Sequence, residues 1–431
     1  MNETTSWLSQ KLKQLNVTDT MATNEGFTRL SYTAEEAEAQ QAFITISEEL
    51  GLDTHQDEAG NIWAMWQAGP ENNPAVATGS HLDTVFKGGG YDGTAGVLCS
   101  LGAVKILKEN GFQPKKNIAV VCFASEESAR FGVSTIGSKA VSGLLDKDQL
   151  ERIKDNEGTT IRKAVESFGL DWSTIQQAEK QPGELESFVE LHIEQGTEIE
   201  DHGAEIGIVR GVACPVRLKV TVHGMANHTG TTPMDKRKDA LVAIAPFITF
   251  VNEKAKLFNE SSNHKLVATV STMNLQPNYM NVIPGEVEVG VDIRSVDDAL
   301  KRELAKEIID YCKELEISSG MEIKVETLVD NASVFLNKDV KNKLEHVVDN
   351  LGYRSIPLDS GAGHDVMNLA KRWPSGLIFI PCKEGISHHP TEYASIADLY
   401  KGTKIIADYL RMETGDENES NNWSDRTGRL S

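Results

Sequence analysis

The pattern of apolar and polar positions changes several times along the chain, and each change predicts an element. Ser31–Leu50 reads as a helix, with Thr33 placed as N-cap before Ala34-Glu35-Glu36. Strand-like runs follow at Asn61–Gln67 and Ala75–Leu82, then a glycine-rich loop, then a helical stretch from about Gly93 to Asn110. Asn117–Ala124 (NIAVVCFA) is almost continuously apolar and of strand length, as expected for a strand buried on both faces. Alternating strands and helices predict an α/β domain on a largely buried sheet.

The middle of the chain reads differently. A strand (VRLKVTVHG), a long helix (Met234 to Phe258) and a strand (LVATVSTMNL) are followed by a strand (EVEVGVDIRS), a helix (Val296–Leu315) and a last strand (MEIKVETL). That βαββαβ order predicts a ferredoxin-like domain inserted at residues 212–330. Residues 1–211 and 331–413 then form the surrounding domain, and 414–431, polar throughout, read as a disordered tail. A chain of 431 residues is too long for one core, so two domains are also the expectation from length. No internal repeat is visible.

Composition narrows the functional classes. Hydrophobic residues at 39% and charged residues at 25% suit a soluble globular protein. No apolar run approaches the roughly 20 residues of a membrane helix; the longest, near Ala240–Val251, is interrupted by Pro246. The opening MNETTSWLSQ lacks the basic and apolar regions of a signal peptide. Cys99, Cys122, Cys214, Cys312 and Cys382 are scattered without CxxC spacing, which argues against a disulfide framework or thiolate zinc site and for a reducing cytoplasm. A formal charge of −21 disfavours nucleic acid and anionic membrane as partners. An anionic substrate would need a locally positive site, which bound metal ions would supply.

Five segments carry candidate chemistry. In Gly79-Ser80-His81-Leu82-Asp83-Thr84, a His two residues from an Asp at a strand end can be a metal ligand oriented by the carboxylate. Gly88-Gly89-Gly90-Tyr91-Asp92-Gly93 predicts a tight loop that lets Asp92 reach inward. Ser125-Glu126-Glu127 ends the most apolar strand, where adjacent carboxylates are unfavourable unless cations compensate; one Glu is read as ligand and one as general base. Glu190-Leu191-His192-Ile193-Glu194-Gln195-Gly196 places His192 in an apolar alternating stretch, and Gly385-Ile386-Ser387-His388-His389-Pro390 follows the expected buried strand Leu377–Pro381. Together these residues suit two divalent cations held through one bridging carboxylate. His55, His202, His264 and His346 read as ordinary surface residues, and His223 as structural.

Over residues 20–410 the chain resembles the hydantoinase/carbamoylase amidases of the dinuclear-zinc peptidase superfamily. The likeness rests on GSHLDTVFKGGGYDG, EESARFG, ELHIEQG, HTGTTPM, NVIPGEVEVGVDIR, SGAGHD and GISHHPTEY, in that order. The resemblance implies an α/β, mixed-sheet, aminopeptidase-like catalytic domain with the inserted domain as lid and dimerisation element. It implies His81 and His192 on one metal, Glu127 and His388 on the other, Asp92 bridging, Asp83 orienting His81, and Glu126 as general base. His228 becomes the oxyanion donor; Asn281 and Arg294 bind a substrate carboxylate; Gln195, Gly363 and His364 complete the substrate contacts. His388 falls on the family's Ser-His position, while His389 stands where Asn is more usual. Ser128 and Thr229 replace a more usual glycine and alanine. The implied cofactors are two divalent ions per subunit, zinc or else manganese, cobalt or nickel. The implied substrate is a small ureido carboxylate, an N-carbamoyl-L-amino acid or alternatively allantoate. The implied assembly is a homodimer, with domain closure during catalysis.

Overall fold

The computed structural model describes residues 3–69, 73–262 and 264–415. These form two compact units. The first comprises the described residues of Met1–Arg210, Leu336–Leu358 and His364–Ser431; the second comprises those of Gly211–Phe335 and Asp359–Gly363. The expected tail begins within a helix, Ile396–Thr414, and its residues 416–431 lie outside the described residues.

The first unit is organised on a mixed sheet. Its strands lie in the order Asp53–Gln56, Ile62–Trp66, Asn117–Phe123, Ala75–His81, Leu185–Ile193, Ser375–Ile380 and Ile206–Val212. The four strands from Asn117–Phe123 to Ser375–Ile380 run parallel, and the flanking ones antiparallel. The apolar run expected to be buried on both faces is so: Asn117–Phe123 is buried at every position. Helices Thr94–Glu109 and Ile396–Thr414 share a core with it through Leu101, Val104, Ile405 and Ile406. Each such side chain contributes about 1.5–3 kcal/mol by leaving water. Thr33 caps helix Ala34–Glu49 by accepting from the Glu36 backbone N–H. Helix Glu3–Leu15, which the sequence did not suggest, buries Leu8, Leu12 and Leu15 against the same core.

The parallel strands all end on one side. Their C-terminal ends deliver His81, the Ser125-Glu126-Glu127 turn, His192 and the 381–393 loop to a common place, the usual position of a site on an α/β sheet.

The second unit is a four-stranded antiparallel sheet in the order Glu322–Asp330, Pro215–His223, Glu286–Arg294, Val267–Gln276. In chain order that is fourth, first, third, second, the ferredoxin-like arrangement expected from the βαββαβ pattern. Val216, Leu218, Val220 and Val222 alternate inward, as do Val287, Val289, Val291 and Ile293. Helices Ala240–Ser261 and Asp298–Ser319 cover that face, and the rings of Phe250 and Tyr311 stack between them at 3.8 Å. The first helix starts later than the expected Met234, because Asp239 accepts from Leu241 and Val242 N–H and so caps the chain there; Met234–Lys236 form a separate 3-10 turn. The segment Asp359–Gly363 also belongs here, beyond the expected 212–330. It is tied by Ala213 N–H to Ser360 O (2.9 Å being typical for such a bond; here 2.8 Å), and by Arg294 Nη1 to Gly361 O at 2.9 Å. Fully buried Lys301 donates to Cys214 O (2.8 Å), Asn331 O (2.7 Å) and Ser333 Oγ (3.1 Å), so one ammonium satisfies both ends of the inserted chain.

Candidate active site and metal centre

His81 and His192 end neighbouring strands, and each ring is fixed by a backbone carbonyl. His81 Nδ1 lies 3.0 Å from Asp83 O, and His192 Nδ1 lies 2.8 Å from Ile193 O. A carbonyl can only accept, so both rings carry their proton on Nδ1 and turn an unprotonated Nε2 inward, where that of His192 also accepts from the Gly93 N–H at 3.1 Å. The two imidazoles stack at 5.9 Å, and between them stands Asp92. Its Oδ1 is 3.2 Å from His192 Nε2 and 3.5 Å from His81 Nε2; its Oδ2 is 3.5 Å from His388 Nε2. Glu127 Oε1 reaches the same His388 nitrogen at 3.3 Å.

Two donor groups result: His81, Asp92 and His192, and Asp92, Glu127 and His388. Within each the donor atoms lie within 4.8 Å of one another. Asp92 belongs to both through different oxygens. Glu126 stands beside them, its Oε2 at 3.8 Å from His81 Nε2.

Backbone strain shapes this cluster. Ser125, Gln195 and His388 have φ of 54°, 57° and 56°, a region few residues other than glycine adopt; His388 is itself a donor, Ser125 precedes Glu126, and Gln195 contacts Asp92. The Ser125 turn is held from behind: Glu36 Oε1 accepts from Ser125 N–H at 3.1 Å, and Asp83 accepts from Glu126 N–H at 3.0 Å and Glu127 N–H at 2.9 Å. Asp83 was expected to orient His81. Its backbone carbonyl meets the ring more closely than its carboxylate does, at 3.0 Å against 3.4 Å, and the carboxylate chiefly anchors the paired glutamates.

The charge balance fits cations. Asp83, Asp92, Glu126, Glu127, Glu190, Asp365 and Glu392 are buried, and among the described residues Arg29 is the buried guanidinium beside them. Burial opposes ionisation of Asp92, but the imidazoles of His192, His388 and His81 hold its carboxyl well below the usual range. Burial lifts Glu126 well above it, with His81 opposing and Glu127, Asp365 and Asp83 adding. His388 is pushed up to about 11 by Asp92 and Glu127. His364, buried 4.6 Å from His192, is pushed well down by burial and by that neighbour, and stays neutral. A nest of carboxylates that draws its imidazoles toward protonation is one suited to divalent cations.

Gln195 lies at the same place, donating through Nε2 to Asp92 Oδ2 at 2.7 Å while its buried Oε1 makes no hydrogen bond within the protein. His81, Asp83, Asp92, Glu126, Glu127, His192, Gln195, His364 and His388 thus all belong to the first unit, whereas His228, Asn281, Arg294 and Gly363 belong to the second. There His228 faces Val282 across the short ribbon Asn227–His228 and Val282–Ile283, next to Asn281. Gly230 N–H donates to His228 Nδ1 at 2.9 Å, which leaves the ring proton on Nε2 as a donor. Arg294 does not share that place. It ends the strand Glu286–Arg294, about 26 Å of extended chain away, with Nε bound to Asp292 Oδ1 at 2.7 Å.

Three supporting residues had no signal as site residues in the sequence. Arg29 donates to Leu82 O and Asn16 Oδ1, Glu36 holds Ser125, and Glu392 takes the Asp92 N–H. Only Glu392 lay inside a motif, in HHPTEY.

Fold and site together define a metal-dependent hydrolase. Residues 77–412 match peptidase family M20/M25/M40, and the chain belongs to that family. It is 36% identical to an N-carbamoyl-L-amino acid amidohydrolase of Geobacillus stearothermophilus, covering 88% of this chain and 92% of the relative. It is also 36% identical to an allantoate amidohydrolase of Escherichia coli (89% and 92% covered) and 34% identical to a ureidoglycolate hydrolase of Arabidopsis thaliana (90% and 82%). The crystal structure of a hydantoinase/carbamoylase family amidase from Burkholderia multivorans superposes with a TM-score of 0.84 at 27% identity, over 96% of this chain and 98% of that one. Within its family the chain is therefore a metal-dependent amidohydrolase of the hydantoinase/carbamoylase branch. Among the described residues no helix is long and apolar enough to cross a membrane.

Proposed function

We propose that this protein hydrolyses the carbamoyl C–N bond of N-carbamoyl-L-amino acids, with His81, Asp92 and His192 holding one divalent ion and Asp92, Glu127 and His388 the other. The observation that carries the reading is Asp92, which serves two donor groups through its two oxygens beside a protonatable Glu126. Bound ions would bring a water toward ionisation at neutral pH and polarise the substrate carbonyl. Glu126 takes the proton of the attacking water and returns it to the leaving nitrogen; burial raises its affinity for that proton in between. C–N cleavage frees the amino acid, and the carbamate decomposes to ammonia and carbon dioxide.

The remaining assignments rest on the resemblance, and the geometry supports them in part. Gln195 Oε1, lacking a partner, suits a ureido N–H, and neutral His364, its ring 4.6 Å from that of His192, offers a further donor or acceptor. His228, with its proton on Nε2, suits a developing oxyanion. Asn281, Arg294 and the Gly363 backbone are assigned to the substrate carboxylate. Because Arg294 ends the strand Glu286–Arg294 while the ribbon beside Asn281 joins the chain just before that strand begins, we infer that a single small substrate does not touch both in the same copy. We therefore place a homodimer in this proposal, with one copy's His228 and Asn281 acting on its partner's substrate.

Allantoate is the alternative substrate, and the relatives add ureidoglycolate as a third ureido carboxylate. Metal-reconstituted protein is incubated separately with N-carbamoyl-L-methionine, allantoate and ureidoglycolate, following ammonia release, with Glu126→Gln as control. Turnover of the first alone supports the proposal; turnover of either other compound alone reassigns the substrate; equal rates in wild type and control refute the mechanism.

A further inference from the structure

The middle glycine of Gly88-Gly89-Gly90 packs against one side chain from the opposite end of the sequence. Glu392 Oε1 accepts from Tyr91 N–H and from Asp92 N–H, each at 2.9 Å, and its Oε2 accepts from Ser387 Oγ at 3.1 Å. The same Ser387 hydroxyl lies 2.9 Å from Asp92 Oδ2. Glu392 therefore touches the loop carrying Asp92 through its backbone and the loop carrying His388 through Ser387. Gly89 is glycine because of it: a Cβ there would lie 2.2 Å from Glu392 Oε1 and 2.3 Å from Glu392 Cβ. The contact is sealed by the rings of Tyr91 and Tyr393, edge to face at 5.7 Å.

We infer that Glu392 is a positioning residue that sets where the Asp92 carboxylate stands between the two donor groups. An acceptor that takes two successive N–H groups fixes the peptide plane preceding Asp92 and hence the direction of its Cβ. Ser387 then limits rotation of the carboxylate itself. Without Glu392 two buried N–H groups lose their partner, and the loop, rich in glycine, has other conformations available. Metal–ligand distances lie within about 0.2 Å of standard values, and loss of an outer partner of this kind costs about 10–100-fold in metal affinity. The inference rests on the dinuclear reading above.

Two substitutions separate geometry from charge. Glu392→Asp keeps the negative charge but shortens the reach by one methylene, so it cannot meet both N–H groups. Glu392→Gln gives up the charge but keeps an oxygen at the same reach, and its amide can donate to Ser387 Oγ. Metal-stripped protein is titrated with Mn2+ alone in a calorimeter, with far-UV circular dichroism to verify the fold. The expected result is two ions per wild-type chain, at least tenfold weaker binding of one or both by Glu392→Asp, and no more than about threefold weakening in Glu392→Gln. Wild-type affinity in Glu392→Asp, or a Glu392→Gln variant as weak as Glu392→Asp, overturns the inference. Fewer than two ions on the wild-type chain overturns the dinuclear reading, and this inference with it.

Discussion

Gly93 offers the sharpest link between one missing methyl group and the site. It precedes helix Thr94–Glu109 with φ 60° and ψ −47°, outside even the left-handed well that Asn and Asp can visit. A Cβ built there would lie 2.5 Å from both Cε1 and Nε2 of the His81 ring. Favourable contact between such atoms begins near 3.5 Å, so Gly93→Ala must drive the imidazole back by about 1 Å or shift the loop instead. The backbone conformation costs about 1–3 kcal/mol for a residue with a side chain, and the overpacking about 1–3 kcal/mol more. Gly111, at the other end of the same helix, supplies the control. Its φ is 71° and a Cβ there meets nothing within 4 Å, so Gly111→Ala carries the backbone cost alone, about 1–2 kcal/mol. Urea unfolding of the metal-free proteins should therefore show Gly93→Ala about 2–6 kcal/mol below wild type and clearly below Gly111→Ala. Calorimetric Mn2+ titration should show weakened binding in Gly93→Ala only, since a retreat of about 1 Å is several times the spread of about 0.2 Å in metal–ligand distances. If Gly93→Ala matches Gly111→Ala in stability and wild type in metal binding, the steric reasoning about His81 is wrong.

Further outcomes follow from the same geometry. Asp83→Asn turns an amide NH2 toward the Glu126 or Glu127 N–H; chemical denaturation should register a loss of about 2–4 kcal/mol, and kcat should fall with the displaced glutamates. Lys301→Met strands three oxygen acceptors and Asp298, at 2.7 Å, in the second unit, and its thermal unfolding should show a loss of about 3–5 kcal/mol without change in metal stoichiometry. Burial pushes the thiols of Cys99, Cys312 and Cys382 up to about 12, so at pH 8 almost none is thiolate; iodoacetamide should label the five cysteines in denaturant and leave the native protein nearly unmodified by mass. Chelation should lower the melting temperature, because ions that bind the folded site and not the unfolded chain stabilise the fold by mass action, and added divalent ion should restore it.

The elements legible in the sequence are those whose cause is local. Thr33 caps its helix because its hydroxyl needs only the N–H three residues on. Asn117–Phe123 announces a strand buried on both faces because each residue is apolar for its own sake. The βαββαβ order led to a ferredoxin-like sheet because few topologies bury that set of faces. The segments around His81, Asp92, Glu127, His192 and His388 stood out by their side-chain chemistry, but the local pattern left Glu126 and Glu127 interchangeable, and only the motif resemblance singled out this set.

What holds them in place was decided by contacts between distant parts of the chain. Glu392 lies 301 positions from Tyr91, and Glu36 lies 89 from Ser125. Nothing in the local pattern distinguishes these glutamates from solvated ones, since a carboxylate on an exposed loop and one accepting buried N–H groups read alike. Asp83 shows the same limit within a motif: its backbone meets His81, but its carboxylate reaches two amides more than forty residues on, at Glu126 and Glu127. The assignment of Asp359–Gly363 to the second unit likewise depends on hydrogen bonds to Ala213 and Arg294 that no periodicity encodes. Side-chain chemistry and local burial are properties of short segments, and the sequence carries them directly. The direction in which a carboxylate points is a property of the closed fold, set only when distant loops meet and every buried N–H must find an acceptor.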